Sequence, residues 1–311
     1  MKPIRRLEEL VEAVRGAQTM TVAVAAGEDP ATIEAVAKGV EQGLIRVVSV
    51  GHPEKIMDLA RTQGKAFADQ IEIVPAENEE SAAKIAVKLV REGRANVLMK
   101  GLLGTATFMK AILNKEEGLV EKGHLLSHVA VMQVPDYPRL LLVSDAAIIP
   151  NPTMDEKVKI LEYAIEVANS LNIHPPKVSL ISAAEKVNFR LQSSIDAAVI
   201  KAMAERHQIT GAIVDGPLAL DVSLSPEHCR IKGLESSING EADILIFPNI
   251  ETANTFYKSV TILAHGKGAS IVVGTKAPVV LSSRADEDDT KFYSIVLAAL
   301  MASYRAEKNN H

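Results

Sequence analysis

Residues 276–294 read KAPVVLSSRADEDDTKFYS. An apolar strand-like start, Pro278 to Leu281, gives way to Ser282, Ser283 and Arg284, and Asp286, Glu287, Asp288 and Asp289 follow. Two chemistries meet here. A guanidinium fork matches phosphate oxygens two at a time, so Ser283 and Arg284 at a strand end suit an oxyanion. The carboxylates have two readings. They suit the first turn of a helix, where negative charge is favoured, or one of them serves as a proton acceptor.

Ligands of open α/β sheets bind beyond the carboxyl ends of the strands, so the other strand-end motifs matter as well. In MKGLLGTATFMKAI (99–112) the glycines permit close approach of backbone to ligand. Thr105 falls where a helix begins, and Lys100 adds a point charge. Lys100, Gly101 and Thr105 therefore suit phosphate, although an ordinary strand-to-helix turn with a surface lysine gives the same pattern. In VDGPLALDVS, Asp215 either orients a ligand or holds its own Gly-Pro turn. In FPNIETANTFYK, Asn254 and Lys258 lie four apart and share a helix face, turned to a ligand or to solvent. GTKAP supplies Gly274 and Lys276 on the way to the serine–arginine stretch.

Several chemistries are excluded. HEXXH, paired CXXC and EF-hand patterns are missing, so no metal site is expected. No GxGxxG follows a strand, GxxxxGK[ST] is lacking, and GxSxG is lacking, which removes the usual dinucleotide, ATP and serine-hydrolase sites. The single cysteine, Cys229, has no evident base beyond His228 and forms no intrachain disulfide, which suits a reducing cytoplasm. A net charge of −5 and the lack of tryptophan argue against nucleic acid. Apolar runs such as LLLVSDAAIIP fall far short of the roughly 20 residues of a membrane span.

The elements that must position these residues alternate. Short β-branched runs, TVAVAA (21–26), IRVVSV (45–50), IEIVP (71–75) and ANVLMKG (95–101), are joined by amphipathic helical stretches. That pattern predicts a mostly parallel sheet covered on both faces. HVAVMQVPDYPRLLLVSDAA (128–147) breaks the rhythm and predicts a hairpin turning at Pro135–Pro138. Alternation then resumes. With 311 residues, 47% of them hydrophobic, the chain can bury two cores. Two α/β domains are expected, 1–128 plus 286–311 and 129–285.

The ordered motifs SDAAIIPNPT, VDGPLALDVS, ADILIFPNIETANTFYK and GTKAPVVLSSRAD resemble the phosphate acetyl/butyryltransferase family, and its butyryl-type members most. The resemblance spans nearly the whole chain. It implies two α/β domains of the isocitrate/isopropylmalate dehydrogenase-like type with an interdomain cleft, assembled as a homodimer or larger homo-oligomer. It implies the reaction butyryl-CoA + phosphate ⇌ butyryl phosphate + CoA by direct transfer in a ternary complex. CoA and its acyl thioester are then substrates, and no cofactor is permanently bound. Acetyl or branched short acyl groups are the alternative substrates, and a non-catalytic acyl-CoA or phosphate-binding regulator is the alternative class. Arg284 would hold phosphate and Ser283 would hydrogen-bond it or the developing oxyanion. Acetyl-type members carry Ser-Arg-Gly with an aspartate seven residues after the serine. This chain has Ser283-Arg284-Ala285 and Thr290 in that seventh place. The resemblance then offers Asp289 as the base through a one-residue shift, after it Asp286, or a water network in their place.

Overall fold

Patterns of period two and period 3.6 each need a partner to cover their apolar side, and the chain resolves them into strands and helices in turn. The computed structural model describes residues 2–281 and 288–309. In chain order come α1 (Leu7–Arg15), β1 (Met20–Ala25), α2 (Pro30–Glu41), β2 (Ile45–Gly51), α3 (Pro53–Gln63), α4 (Lys65–Ala68), β3 (Glu72–Pro75), α5 (Glu79–Arg91), β4 (Val97–Lys100) and α6 (Thr105–Ile112). Then follow β5 (Ser127–Gln133), β6 (Leu140–Ser144), α7 (Met154–Ser170), β7 (Lys177–Ile181), α8 (Gln192–Glu205), β8 (Ile213–Leu218), α9 (Leu220–Leu224), α10 (Pro226–Lys232), β9 (Ile244–Ile246) and α11 (Ile250–Leu263). The chain closes with β10 (Lys267–Val273), β11 (Val279–Val280) and α12 (Asp288–Asn309).

Local chemistry starts the helices where the sequence indicates. Asp29 accepts the Thr32 N–H at 3.1 Å ahead of Pro30, and reciprocal capping boxes open α5 (Asn78 with Ser81) and α7 (Thr153 with Glu156).

Contacts divide the chain into two units. One comprises Leu7–Leu126 with the chain from Gly268 onward, and the other the residues up to Arg6 with Ser127–Lys267. In the first, the strand order is β3-β2-β1-β4-β11-β10. All neighbours run parallel except β10 and β11. β1 continues to β2 on one side and abuts β4 on the other, which makes the β1/β4 boundary a topological switch point. In the second unit the order is β5-β6-β9-β7-β8, with the expected β5–β6 hairpin antiparallel and the rest parallel.

The return to the first unit comes at 268, earlier than the expected 286. β11 pairs with β4 (Val279 beside Leu98, Val280 beside Met99) and brings β10 with it. A two-residue strand is too short to show a period, and its partner lies far away in sequence. The first residues also part from the expectation. The Ile4 N–H donates to the Leu171 carbonyl and Arg5 pairs with Asp243, both in the second unit.

Candidate active site

The switch point of the first unit gathers several of the expected residues. Lys100 ends β4 and is 6% exposed, with its Nζ donating to the Gly101 carbonyl at 3.3 Å. A buried ammonium is costly unless it is hydrogen-bonded or paired. β11 runs parallel to β4 with Val280 beside Met99, the residue that precedes Lys100. Ser283, Arg284 and Asp286 follow directly in sequence and lie outside the described residues.

Gly101 differs from its expected role. A Cβ there would stand 2.2 Å from the Ala26 carbonyl oxygen and 2.8 Å from that of Ala25. Its N–H donates to Ala25. The glycine is demanded by the end of β1 crowding against it, a packing need that a sequence pattern cannot separate from ligand approach. Thr105 opens α6 and is exposed, while the Gly104 N–H just before it donates to Glu79 at 3.0 Å. A carboxylate thus already occupies one donor at a helix start where phosphate was expected.

Gly274 takes a positive φ of 86° in the turn from β10 toward β11, the conformation that favours glycine. Lys276 is exposed, its N–H donating to the Leu119 carbonyl and its Nζ 4.0 Å from Glu121. Asp289, in the first turn of α12, pairs with Lys38 of α2 at 3.1 Å, and the same Nζ lies 4.3 Å from the Phe292 ring centre. That contact helps dock α12 on α2 and engages the carboxylate proposed as base.

In the second unit, Asp215 is 4% exposed and surrounded by donors. Its Oδ1 accepts from the Gly216 N–H at 2.8 Å and faces Lys201 Nζ at 2.7 Å. Its Oδ2 accepts from Ser236 Oγ at 2.7 Å and the Ser237 N–H at 3.0 Å. Burial alone would push this carboxyl up, but Lys201, Ser236 and Gly216 together outweigh it and hold it below its ordinary value. Of its two readings, the geometry favours the one in which Asp215 holds its turn, since four protein donors fill the carboxylate. Asn254 Nδ2 donates to the Ala146 carbonyl at 3.0 Å and ties α11 to the loop after β6, while Lys258 stands exposed on the same helix.

A feature absent from the sequence reading lies at the carboxyl ends of β6, β7 and β9. A pocket of about 870 Å3 is bounded there by the starts of α7, α8 and α11. Lys157 and Asp196 line it as a buried ion pair at 2.6 Å, with side chains 9% and 6% exposed. Gln192 donates to the other oxygen of Asp196 at 2.7 Å. A signal for the pair exists. Lys157 falls on the stripe that continues through Ile160, Leu161 and Ala164, and Asp196 on the stripe that continues to Ile200. A charge at a core position of each of two helices calls for a partner.

Cys229 is buried, with its Sγ directed to the Val222 carbonyl, and burial pushes its thiol up, which disfavours a thiolate nucleophile. Among the described residues no three His, Cys, Asp or Glu side chains are grouped to hold a metal. Among the same residues no helix is long and apolar enough to cross a membrane.

Comparison with known proteins decides the family. The model described as phosphate acetyl/butaryl transferase matches residues 78–299, a span running from α5 through the Ser283–Arg284 stretch into α12. The chain belongs to that family. Among curated members of this transferase family it is 42% identical to the phosphate butyryltransferase of Clostridium acetobutylicum, over 96% of the chain and 99% of the relative. It is 41% identical to the phosphate acetyltransferase of Thermotoga maritima, over 95% and 99%. A crystal structure of a branched-chain phosphotransacylase from Enterococcus faecalis V583 matches with a TM-score of 0.80 and 34% identity, covering 91% of this chain and 99% of that one. The α/β architecture expected from the alternating pattern is therefore also the architecture of a solved family member.

Proposed function

We propose that this chain is a phosphate acyltransferase that carries out butyryl-CoA + phosphate ⇌ butyryl phosphate + CoA. The observation that carries the reading is the register of β4 and β11. It sets Val280 beside Met99, the residue before the buried Lys100, at the switch point where open α/β sheets bind ligands, and in sequence the Ser283–Arg284 pair follows three residues after Val280. A lysine, an arginine and a hydroxyl are the residue types that suit a dianionic phosphate and the charge that develops as it attacks a thioester carbonyl.

In this reading the acyl group passes directly between sulfur and phosphate oxygen. Arg284 grips the phosphate, Ser283 hydrogen-bonds it or the oxyanion, and Lys100 adds charge. Holding two substrates in line supplies much of the rate enhancement. Because Lys38 engages Asp289, the role of proton acceptor toward the CoA thiol passes to Asp286. CoA and its thioester are substrates, no cofactor is permanently bound, and the enzyme works in the cytoplasm as a homodimer or larger homo-oligomer.

Direct transfer is tested by incubating the protein with butyryl-CoA and labelled CoA. Label should enter butyryl-CoA only when phosphate or butyryl phosphate is present. Exchange without phosphate means an acyl-enzyme and overturns this mechanism. A second reading is favoured by the names of the relatives. One at 41% identity is a phosphate acetyltransferase and the solved neighbour is a branched-chain phosphotransacylase, so acetyl or branched acyl groups are the alternative substrates. Discrimination between such chains is worth only about 1–3 kcal/mol per methylene.

A further inference from the structure

The pocket of the second unit is absorbed by none of the roles above. It is about 870 Å3, within the range of small-molecule sites, and its walls are largely apolar, with Met154, Ile181, Leu191 and Phe247 among them. Polar side chains also line it: those of Lys157, Asp196 and Gln192 are joined by hydrogen bonds, as are those of Ser182 and Ser193. Lys157 Nζ makes one described hydrogen bond, to Asp196 Oδ2, so an ammonium with three N–H groups keeps two to offer. Ser182 and Ser193 also line the pocket and share one hydrogen bond at 3.0 Å, which leaves one hydroxyl proton to direct elsewhere. Both oxygens of Asp196 are already occupied, one by Lys157 and one by Gln192. The unfilled capacity at the ion pair is therefore donor capacity.

The ligand that fits is thus apolar along its length and carries hydrogen-bond acceptors. A phosphate is disfavoured, because the ammonium is already neutralised and the anion would meet Asp196 at close range. A neutral carbonyl meets no such repulsion, and a buried amide or ester carbonyl needs a donor of this kind. We infer that this pocket binds the amide-bearing, otherwise aliphatic pantetheine arm of the CoA substrate, with Lys157 and the Ser182–Ser193 pair donating to its carbonyls. Asp196 is a positioning residue that fixes the Lys157 ammonium. The inference rests on the acyltransferase reading and assigns that reaction a specificity-determining site.

The test compares wild type with the double variant Lys157→Met/Asp196→Asn, which removes both charges together and so leaves neither unpaired. Binding is measured by calorimetry with desulfo-CoA, which keeps the arm and lacks the thiol, and kinetics are followed with butyryl-CoA and phosphate. The expected result is at least tenfold weaker desulfo-CoA binding and a matching rise in KM for butyryl-CoA, with KM for phosphate within twofold of wild type. A structural role alone would not separate the two KM values. Should the double variant fail to fold, Ser193→Phe, which narrows the pocket beside the intact ion pair, should show the same split. Unchanged desulfo-CoA affinity in a folded variant of either kind overturns the inference. Wild type that releases no CoA with phosphate overturns the acyltransferase reading instead, so the two failures are distinct.

Discussion

Replacing Asp215 by asparagine separates a structural carboxylate from a substrate-binding one. The shape is kept, but one of the four donor contacts cannot be satisfied. With the amide nitrogen facing Ser236, whose hydroxyl can turn to accept, the Ser237 N–H is left without an acceptor in a buried site. An orphaned buried donor costs about 1–3 kcal/mol. Losing the charge partner of Lys201, whose side chain is 37% exposed and therefore well screened, adds up to about 1 kcal/mol. The expected loss is about 1–4 kcal/mol in urea unfolding followed by circular dichroism near neutral pH. The Asp215 carboxyl is held below its ordinary value of 3.8, so its stabilisation is complete above that value and is lost as pH falls through the lower folded one. The gap between wild type and variant should accordingly narrow once pH drops below about 3.8. KM for CoA and for phosphate should stay within threefold of wild type. A variant as stable as wild type, with either KM raised tenfold or more, refutes the structural assignment and returns Asp215 to the substrate site.

Other outcomes follow from the same geometry. Gly101→Ala sets a methyl against the Ala25 and Ala26 carbonyl oxygens at the end of β1 and should destabilise by about 1–3 kcal/mol in urea unfolding; an unperturbed variant would mean that the β1 terminus gives way readily. Asp289→Asn breaks a half-exposed pair with Lys38 and should cost less than about 1 kcal/mol while turnover persists in both directions; a loss of turnover above a hundredfold would restore Asp289 as the base. Arg284→Ala should weaken phosphate use at least tenfold in steady-state kinetics with thermal stability unchanged, and unaltered phosphate kinetics would remove Arg284 from the site.

How legible the chain was depended on whether a local pattern carried the information. Alternating strand and helix periods, the Asp29-Pro30 helix start and the Pro135–Pro138 hairpin are local, and they appear where expected. The affiliation of residues 268–281 is not local, because it depends on the two-residue β11 finding β4 some 180 positions earlier. At the site, Lys100 was legible because a lysine at a strand end is conspicuous. Gly101 and Asp215 were legible as special but not as to cause, since a crowded backbone and a close ligand both demand glycine, and turn and ligand both employ aspartate. The Lys157–Asp196 pair was missed because each charge, taken alone, resembles an ordinary helical surface residue. Only alignment with the apolar stripes of both helices reveals it.

The central claim is most directly tested by phosphate-dependent release of CoA from acetyl-, propionyl-, butyryl- and isobutyryl-CoA, followed with a thiol reagent. The account predicts saturable release that requires phosphate and is fastest with a four-carbon chain. Release no faster than the uncatalysed background with all four thioesters would contradict it.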